Sequence, residues 1–405
     1  MNYVIAFDVS MGKSTMVIYD HSQRCLYEGE LKHTANGFSW LKEKIEFIIG
    51  QAGQSPEIVF EATGVYSQGL ERFLQEEQYP YHRVNPLQAK LQMASMRRNK
   101  TDISDAHELA KSHFKVDRHE TYVQDDYFEQ MRALGRYYDD VEKEIRHYAN
   151  RVHSFLQLSF PLLEATFSKN SKVFWTMIQL FPHPDHLRGQ SQDDISLQII
   201  QASSKNFSHQ KAIDFAISLR LAAENSYPAI HQNDVRCQHL QDDAERILEL
   251  KQKKKEIVKQ MVALSEKRMD YQVLLSFPGI GETTAVRLIA ELGDIRRFKS
   301  PKQINAYAGI DIQRYQSGKL QYQDRINKRG NRRLRKLLYF MVMTMITLRK
   351  RSQNSIVDYY DHLKKQPQSK PHKVAVIACV NKFLKVAFHL IQHGIPYNYA
   401  FTRAS

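Results

Sequence analysis

Val4-Ile5-Ala6-Phe7-Asp8-Val9-Ser10 is the stretch on which the fold turns. It is apolar, rich in β-branched residues and broken by a single acid, so it reads as a buried strand that carries a carboxylate. Residues 15 to 19 read as a second strand, joined to the first by the turn Ser10-Met11-Gly12-Lys13, and the polar segment with Gly29 and His33 completes a three-stranded meander. Residues 38 to 49 have helical spacing. Ile58-Val59-Phe60 is another apolar run, and it ends on Glu61. Tyr66 to Gln78 reads as an amphipathic helix and His82 to Pro86 as a fifth strand. Strands first, then alternating helix and strand, describe a mixed α/β sheet.

That is the order of an RNase-H-like domain. Beyond it, Thr101 is suited to cap a helix whose first turn holds Asp102 and Asp105, three residues apart and on one face. Acids at a helix start are ordinary, because the dipole favours anions there. The preceding Arg97-Arg98-Asn99-Lys100 adds cations that suit a phosphate. If Asp8, Glu61, Asp102 and Asp105 converge, four negative charges meet. Such a site is unstable without cations, and a pair of divalent ions is the simplest solution, the arrangement common in phosphodiester chemistry.

The 405 residues hold 58 Lys plus Arg against 44 Asp plus Glu, a formal net charge of +14 that predicts a polyanionic partner. Sixteen of those cations lie between Arg296 and Arg351 against two acids, Asp311 and Asp324. That local surplus equals the net charge of the chain, so this segment, with Tyr307, Tyr315 and Tyr322 interleaved, is the expected nucleic-acid face. Within it, Arg314, Lys319, Lys328, Arg329, Arg332, Arg333 and Arg335 are the candidate phosphate contacts. Phe277-Pro278-Gly279-Ile280-Gly281 ahead of a helix reads as a turn whose backbone N–H groups can take a phosphate, or as a plain tight turn. Ser317, between Gln316 and Gly318, can be a phosphate ligand, a turn residue or an activated nucleophile.

Three scattered cysteines without C-x-x-C spacing argue against a disulfide framework or a zinc motif. No secretory pattern precedes the first strand, and the longest nearly apolar run, Leu337 to Leu348, is twelve residues. A soluble, cytoplasmic protein without membrane contact is therefore expected. From Met131 to Phe155 the apolar positions step by threes and fours, the pattern of a coiled-coil seam, and a charged helix follows at roughly Gln238 to Lys267. The two can pair as a hairpin within one chain or join two chains. Residues 161 to 237 carry no readable motif.

Seven segments in order are similar to the IS-one-ten family of insertion-sequence transposases, also called DEDD transposases. They are Ala-Phe-Asp8-Val-Ser, Phe-Glu61-Ala-Thr-Gly, Asn-Lys-Thr-Asp102-Ile-Ser-Asp105-Ala, Phe-Pro-Gly-Ile-Gly, Ala-Tyr-Ala-Gly-Ile, Tyr-Gln-Ser317-Gly and Lys-Arg-Gly-Asn-Arg-Arg-Leu-Arg. The resemblance runs from Tyr3 to about Tyr399 and lacks none of the motif residues, although the 161–237 region is long beside the shorter members. It implies a RuvC-like α/β domain over 1–125, a helical coiled-coil linker over 126–270 and a mostly helical C-terminal transposase domain over 271–405. It also implies a metal-binding tetrad of Asp8, Glu61, Asp102 and Asp105, taking Mg2+ with Mn2+ as a substitute, and Ser317 as nucleophile. A bridge RNA would pair with donor and target DNA, and the enzyme would act as a dimer or a dimer of dimers. Two other readings remain: a RuvC-type junction nuclease in which water attacks, and a non-catalytic nucleic-acid-binding protein. A sugar-kinase-like ATPase fits poorly, since no second phosphate loop follows the first hairpin.

Overall fold

Five strands form one sheet in the order β3-β2-β1-β4-β5, with β1 (Val4–Ser10) at its centre. β1 pairs antiparallel with β2 (Lys13–Tyr19), and β2 with β3 (Cys25–Lys32); Gly12, at φ +74°, makes the tight reversal between the first two. β4 (Glu57–Glu61) lies parallel to β1, reached through helix α1 (Ala35–Ala52), and β5 (Tyr81–Val84) lies parallel to β4 after α2 (Gln68–Glu76). Three antiparallel strands followed by two parallel ones give the RNase-H/RuvC-like topology expected. The computed structural model describes residues 3–86, 89, 101–203, 207–313, 316, 317, 320, 321, 325–367 and 369–400, with backbone alone at 316, 317, 320 and 321. It divides into two units, 1–123 and 124–405.

Alternation along β1 explains why the sheet is covered on both sides. Ile5, Phe7 and Val9 face α1 and α2, packing with Leu41, Ile45, Leu70 and Leu74. Val4 and Ala6 face the other way, against Val59, Val84 and the helix α3 (Asp102–Lys115), which offers Ala106, Leu109 and Ala110. Small residues on both surfaces let the helix lie close to the strands. At its start the Thr101 hydroxyl accepts from the Ser104 N–H at 3.1 Å and the Ser104 hydroxyl accepts from the Thr101 N–H at 2.9 Å, a reciprocal capping box. Thr101→Ala is expected to destabilise the first unit by about 1 kcal/mol, measured as a lower urea midpoint with unchanged slope.

The second unit is built on two long helices, α4 (Asp126–Ser159) and α9 (Val235–Ser265). The Tyr127 and Ser265 hydroxyls meet at 2.8 Å, Lys254 reaches Glu142 at 3.5 Å, and Arg151 holds the buried Asp243. These pairings run in opposite directions along the two helices, so they form an antiparallel hairpin within the chain. The apolar seam read in the sequence is buried there: Met131, Tyr138 and Val141 share a core with Ile257 and Met261. Of the two arrangements open to that seam, the structure takes the intrachain one.

Each end of the hairpin carries a core. Val152, Leu156, Leu240, Ala244 and Ile247 pack with helices α5 (Pro161–Thr166), α6 (Lys172–Leu180), α7 (Gln192–Ala202) and α8 (His209–Asn225). The motif-free segment is thus a helical module with its own apolar centre. The other end packs with α10 (Met269–Leu275), α11 (Glu282–Leu292), α12 (Pro301–Ala308), α13 (Arg332–Thr347), α14 (Ser355–Lys364) and α15 (His372–His393). Among the described residues, α15 is the one helix long and apolar enough to cross a membrane, and its Val376, Val380, Phe383, Leu384 and Ala387 are buried in this core.

Candidate active site

The strand register sets where the acids fall. β1 and β4 pair Val4 with Glu57, Ala6 with Val59 and Phe7 with Phe60, so the next step puts Asp8 beside Glu61 at the C-terminal ends of two adjacent parallel strands. Ala6 and Val59 face α3, and by alternation Asp8 and Glu61 do too. Both are half-buried.

α3 runs antiparallel to these strands. Near its C-terminus the His113 ring meets Glu57, the first residue of β4, at 2.5 Å. From His113 back to Asp102 the helix rises about 16 Å, and β4 advances about 13 Å from Glu57 to Glu61. The first turn of α3, with Asp102 and Asp105, therefore stands at the level of Asp8 and Glu61. A second relation agrees. The Lys13 ammonium, at the β1–β2 turn, is held above its usual pKa by its hydrogen bond to Glu30 and also by the charge of Asp102. The structure thus brings three elements and four carboxylates to one end of the sheet.

The donor set there is all oxygen, which suits a hard cation such as Mg2+ or Mn2+ rather than a thiophilic one. The Thr63 hydroxyl, two residues past Glu61, is buried and has no hydrogen-bond partner among the described residues, so a polar group at this end of the sheet has an oxygen to bind. The residues fit divalent ions.

A second cluster lies at the opposite end of the same helix. Glu57, His82 and His113 present donor atoms within 4.8 Å of one another, and could hold a divalent metal. No sequence motif marks this cluster, since 25 and 31 residues separate its members. The available signal was positional: His113 continues the buried stripe Ala106, Leu109, Ala110, where a histidine needs a reason.

In the second unit Ser317 lies in β6 (Gln316–Ser317), paired with β7 (Leu320–Gln321) as Ser317 with Leu320. Arg97, Arg98, Lys100, Arg314 and Lys319 lie outside the described residues. The remaining candidate cations divide into two groups. Lys328, Arg329 and Arg332 are exposed. Arg335, by contrast, donates to the carbonyls of Ala308 at 2.8 Å and Lys328 at 3.3 Å, and Arg333 pairs with Asp139 at 3.2 Å. These two guanidinium groups hold the fold around α13, a use that composition cannot distinguish from phosphate binding.

The turn ahead of α13 is clamped. A Cβ on Gly330 would lie 2.3 Å from the Tyr307 carbonyl oxygen, and Asn331 caps α13 while donating to the buried Glu291 at 2.7 Å. Gly279, at φ +93°, packs on Met345, and the Pro278 carbonyl accepts from Asn354 at 3.1 Å. Gly279 is therefore a packed tight turn, whereas Gly281, the N-cap of α11, is exposed and leaves its helix start open to an anion.

Comparison with known proteins adds sequence likenesses to this geometry. A family model described as "Transposase" matches residues 5–161, and one described as "Transposase IS116/IS110/IS902 family" matches residues 271–358. A transposase for insertion sequence element IS1111A of Coxiella burnetii is 35% identical over 79 residues, 20% of this chain and 22% of that protein. The pilin gene-inverting protein of Moraxella bovis is 27% identical over 128 residues, 31% of this chain and 38% of that protein. An uncharacterized 43.6 kDa protein of insertion element IS110 from Streptomyces coelicolor is 21% identical over 271 residues, 66% of this chain and 64% of that protein. The chain spans less than two thirds of each of these relatives.

Proposed function

The chain carries the two domains of an IS110-type insertion-sequence transposase, and from that premise we propose that it cuts DNA strands by metal-dependent chemistry at Asp8, Glu61, Asp102 and Asp105. One observation carries the reading: Asp8 and Glu61 fall side by side in register at the ends of parallel strands, with the two aspartates of the α3 first turn level with them. Bound among these carboxylates, divalent ions supply Lewis-acid stabilisation of the charge that builds on phosphate oxygens. The carboxylates hold the ions, and the exposed Lys328, Arg329 and Arg332 bind the DNA backbone. Three parts make up the proposed chain: a catalytic domain over 1–125, a helical spacer over 126–270 and a DNA-engaging domain over 271–405. It acts on donor and target DNA in the bacterial cytoplasm, as a homo-oligomer guided by a bridge RNA.

A second reading concerns who attacks the phosphate. Ser317 lies in the most basic segment, opposite Leu320 in a short ladder, and the resemblance to the insertion-sequence transposases makes it, in place of water, the candidate nucleophile. In that step the Ser317 Oγ–P bond forms as a backbone P–O bond of the DNA breaks. The hydroxyl gives up its proton and the departing DNA oxygen takes one up. A DNA hydroxyl then attacks the phosphoserine, releasing the serine and joining the new strands.

The test is strand cleavage of DNA on a denaturing gel with Mg2+ and with chelator. Cleavage with Mg2+ alone is expected; cleavage undiminished by chelator would remove the metal from the reaction. Binding gives a separate check. Arg329→Ala with Arg332→Ala should weaken affinity for all DNA sequences alike and lower the slope of log K against log salt by about 2, measured by fluorescence anisotropy across a salt series.

A further inference from the structure

We propose that Glu57, His82 and His113 form a binding site for a borderline transition-metal ion, Zn2+ foremost, with a structural task separate from strand cleavage. The cluster stands about 13 Å along β4 from Glu61, at the end of the sheet away from the four carboxylates. Its ligands come from three elements, the starts of β4 and β5 and the last turn of α3, and their donor atoms lie within 4.8 Å of one another.

Two observations point to a ligand. His82 and His113 are 8% and 6% exposed; the Nδ1 of His82 has no hydrogen-bond partner among the described residues, and His113 offers the Nε2 that now meets Glu57. Buried ring nitrogens are almost always partnered, since leaving one bare costs its desolvation. The rings are tilted at 55° with centroids 4.8 Å apart, so two imidazoles crowd one small space beside Glu57.

The chemistry of the donors selects the ion. Two nitrogens and one oxygen are a poor set for Mg2+, which prefers oxygen and keeps its waters, but suit Zn2+ well. Ligation needs neutral imidazole, the form that burial favours. The present 2.5 Å contact between His113 and Glu57 is shorter than the roughly 3.3 Å that separates ligands of tetrahedral Zn2+. An ion therefore parts these two by less than about 1 Å and draws His82 inward. The Glu57 side chain, 40% exposed, has room to move. Water completes the shell from that open side. Arg118 is the opposing charge, and the three ligands must outweigh it. The ion clamps the C-terminal end of α3 to β4 and β5, and so fixes the helix whose other end carries Asp102 and Asp105.

The test uses the full chain, stripped with chelator, then titrated with Zn2+ and with Co2+. With Mg2+ in excess to occupy the four carboxylates, the wild type should take up one tight equivalent with a rise in melting temperature, and Co2+ should give the ligand-field bands of a nitrogen-and-oxygen tetrahedral site. Asp8→Asn, at the other end of the sheet, should keep that equivalent. His82→Gln and Glu57→Gln, each checked for native circular dichroism, should weaken it by at least the 10–100-fold, on the order of magnitude, that lesser changes around metal sites cause. Glu57 lies at the exposed rim, so its variant keeps the test open if His82→Gln fails to fold. Absence of saturable Zn2+ or Co2+ binding to the folded wild type, or binding that Glu57→Gln leaves unchanged, overturns the assignment.

Discussion

Asp8→Asn is expected to fold, to bind DNA as the wild type does, and to cut it about a thousandfold more slowly. The substitution is nearly isosteric, and Asp8 is half-buried on the α3 face, so the Ile5 and Phe7 side of the sheet is untouched. What changes is charge. A neutral amide beside Glu61 weakens a site in which each carboxylate offsets part of the charge of the bound ions, and stabilisation worth several kcal/mol corresponds to about three powers of ten in rate. Single-turnover cleavage under saturating protein separates this from a loss of binding. Wild-type cleavage by Asp8→Asn would place the chemistry elsewhere, with Glu57, His82 and His113 the next candidates.

Ser317→Ala is expected to remove every covalent protein–DNA adduct, a complete loss rather than a graded one. A serine nucleophile leaves its phosphate bonded to the chain, and that bond survives denaturation, whereas attack by water leaves none. The measurement is a labelled DNA substrate run with the protein through a denaturing gel, with Mg2+ present. The serine step predicts a shifted band in the wild type and none in Ser317→Ala. An adduct that persists in Ser317→Ala would eliminate this serine. Cleavage without adduct in the wild type would leave metal-assisted hydrolysis, the RuvC-type reaction.

How much of this was visible in the sequence differs from one part of the chain to another. The sheet was readable because β1 and β4 are short apolar runs, each with one acid, and because the spacing between them holds one helix. The acids of the first turn of α3 were readable from Thr101, whose cap is present with Ser104 as its partner. The middle module was opaque for a physical reason: α5 to α8 bury their faces against one another and against the hairpin, so their pattern is that of ordinary core helices. α15 was hidden by Asn381, Lys382 and Lys385, which interrupt an apolar run without interrupting the buried stripe. The roles of Arg333 and Arg335 depend on which carbonyls and carboxylates come near after folding, and a count of cations cannot contain that. The same holds for Glu57, His82 and His113, which only the sheet register and the reversal of α3 bring together.

Two ends of one helix serving different metals is a distribution that anomalous diffraction from crystals soaked in Mn2+ reads directly. Mn2+ scattering among Asp8, Glu61, Asp102 and Asp105 is the predicted result. No peak among those four carboxylates, or a peak at Glu57, His82 and His113 alone, would contradict it.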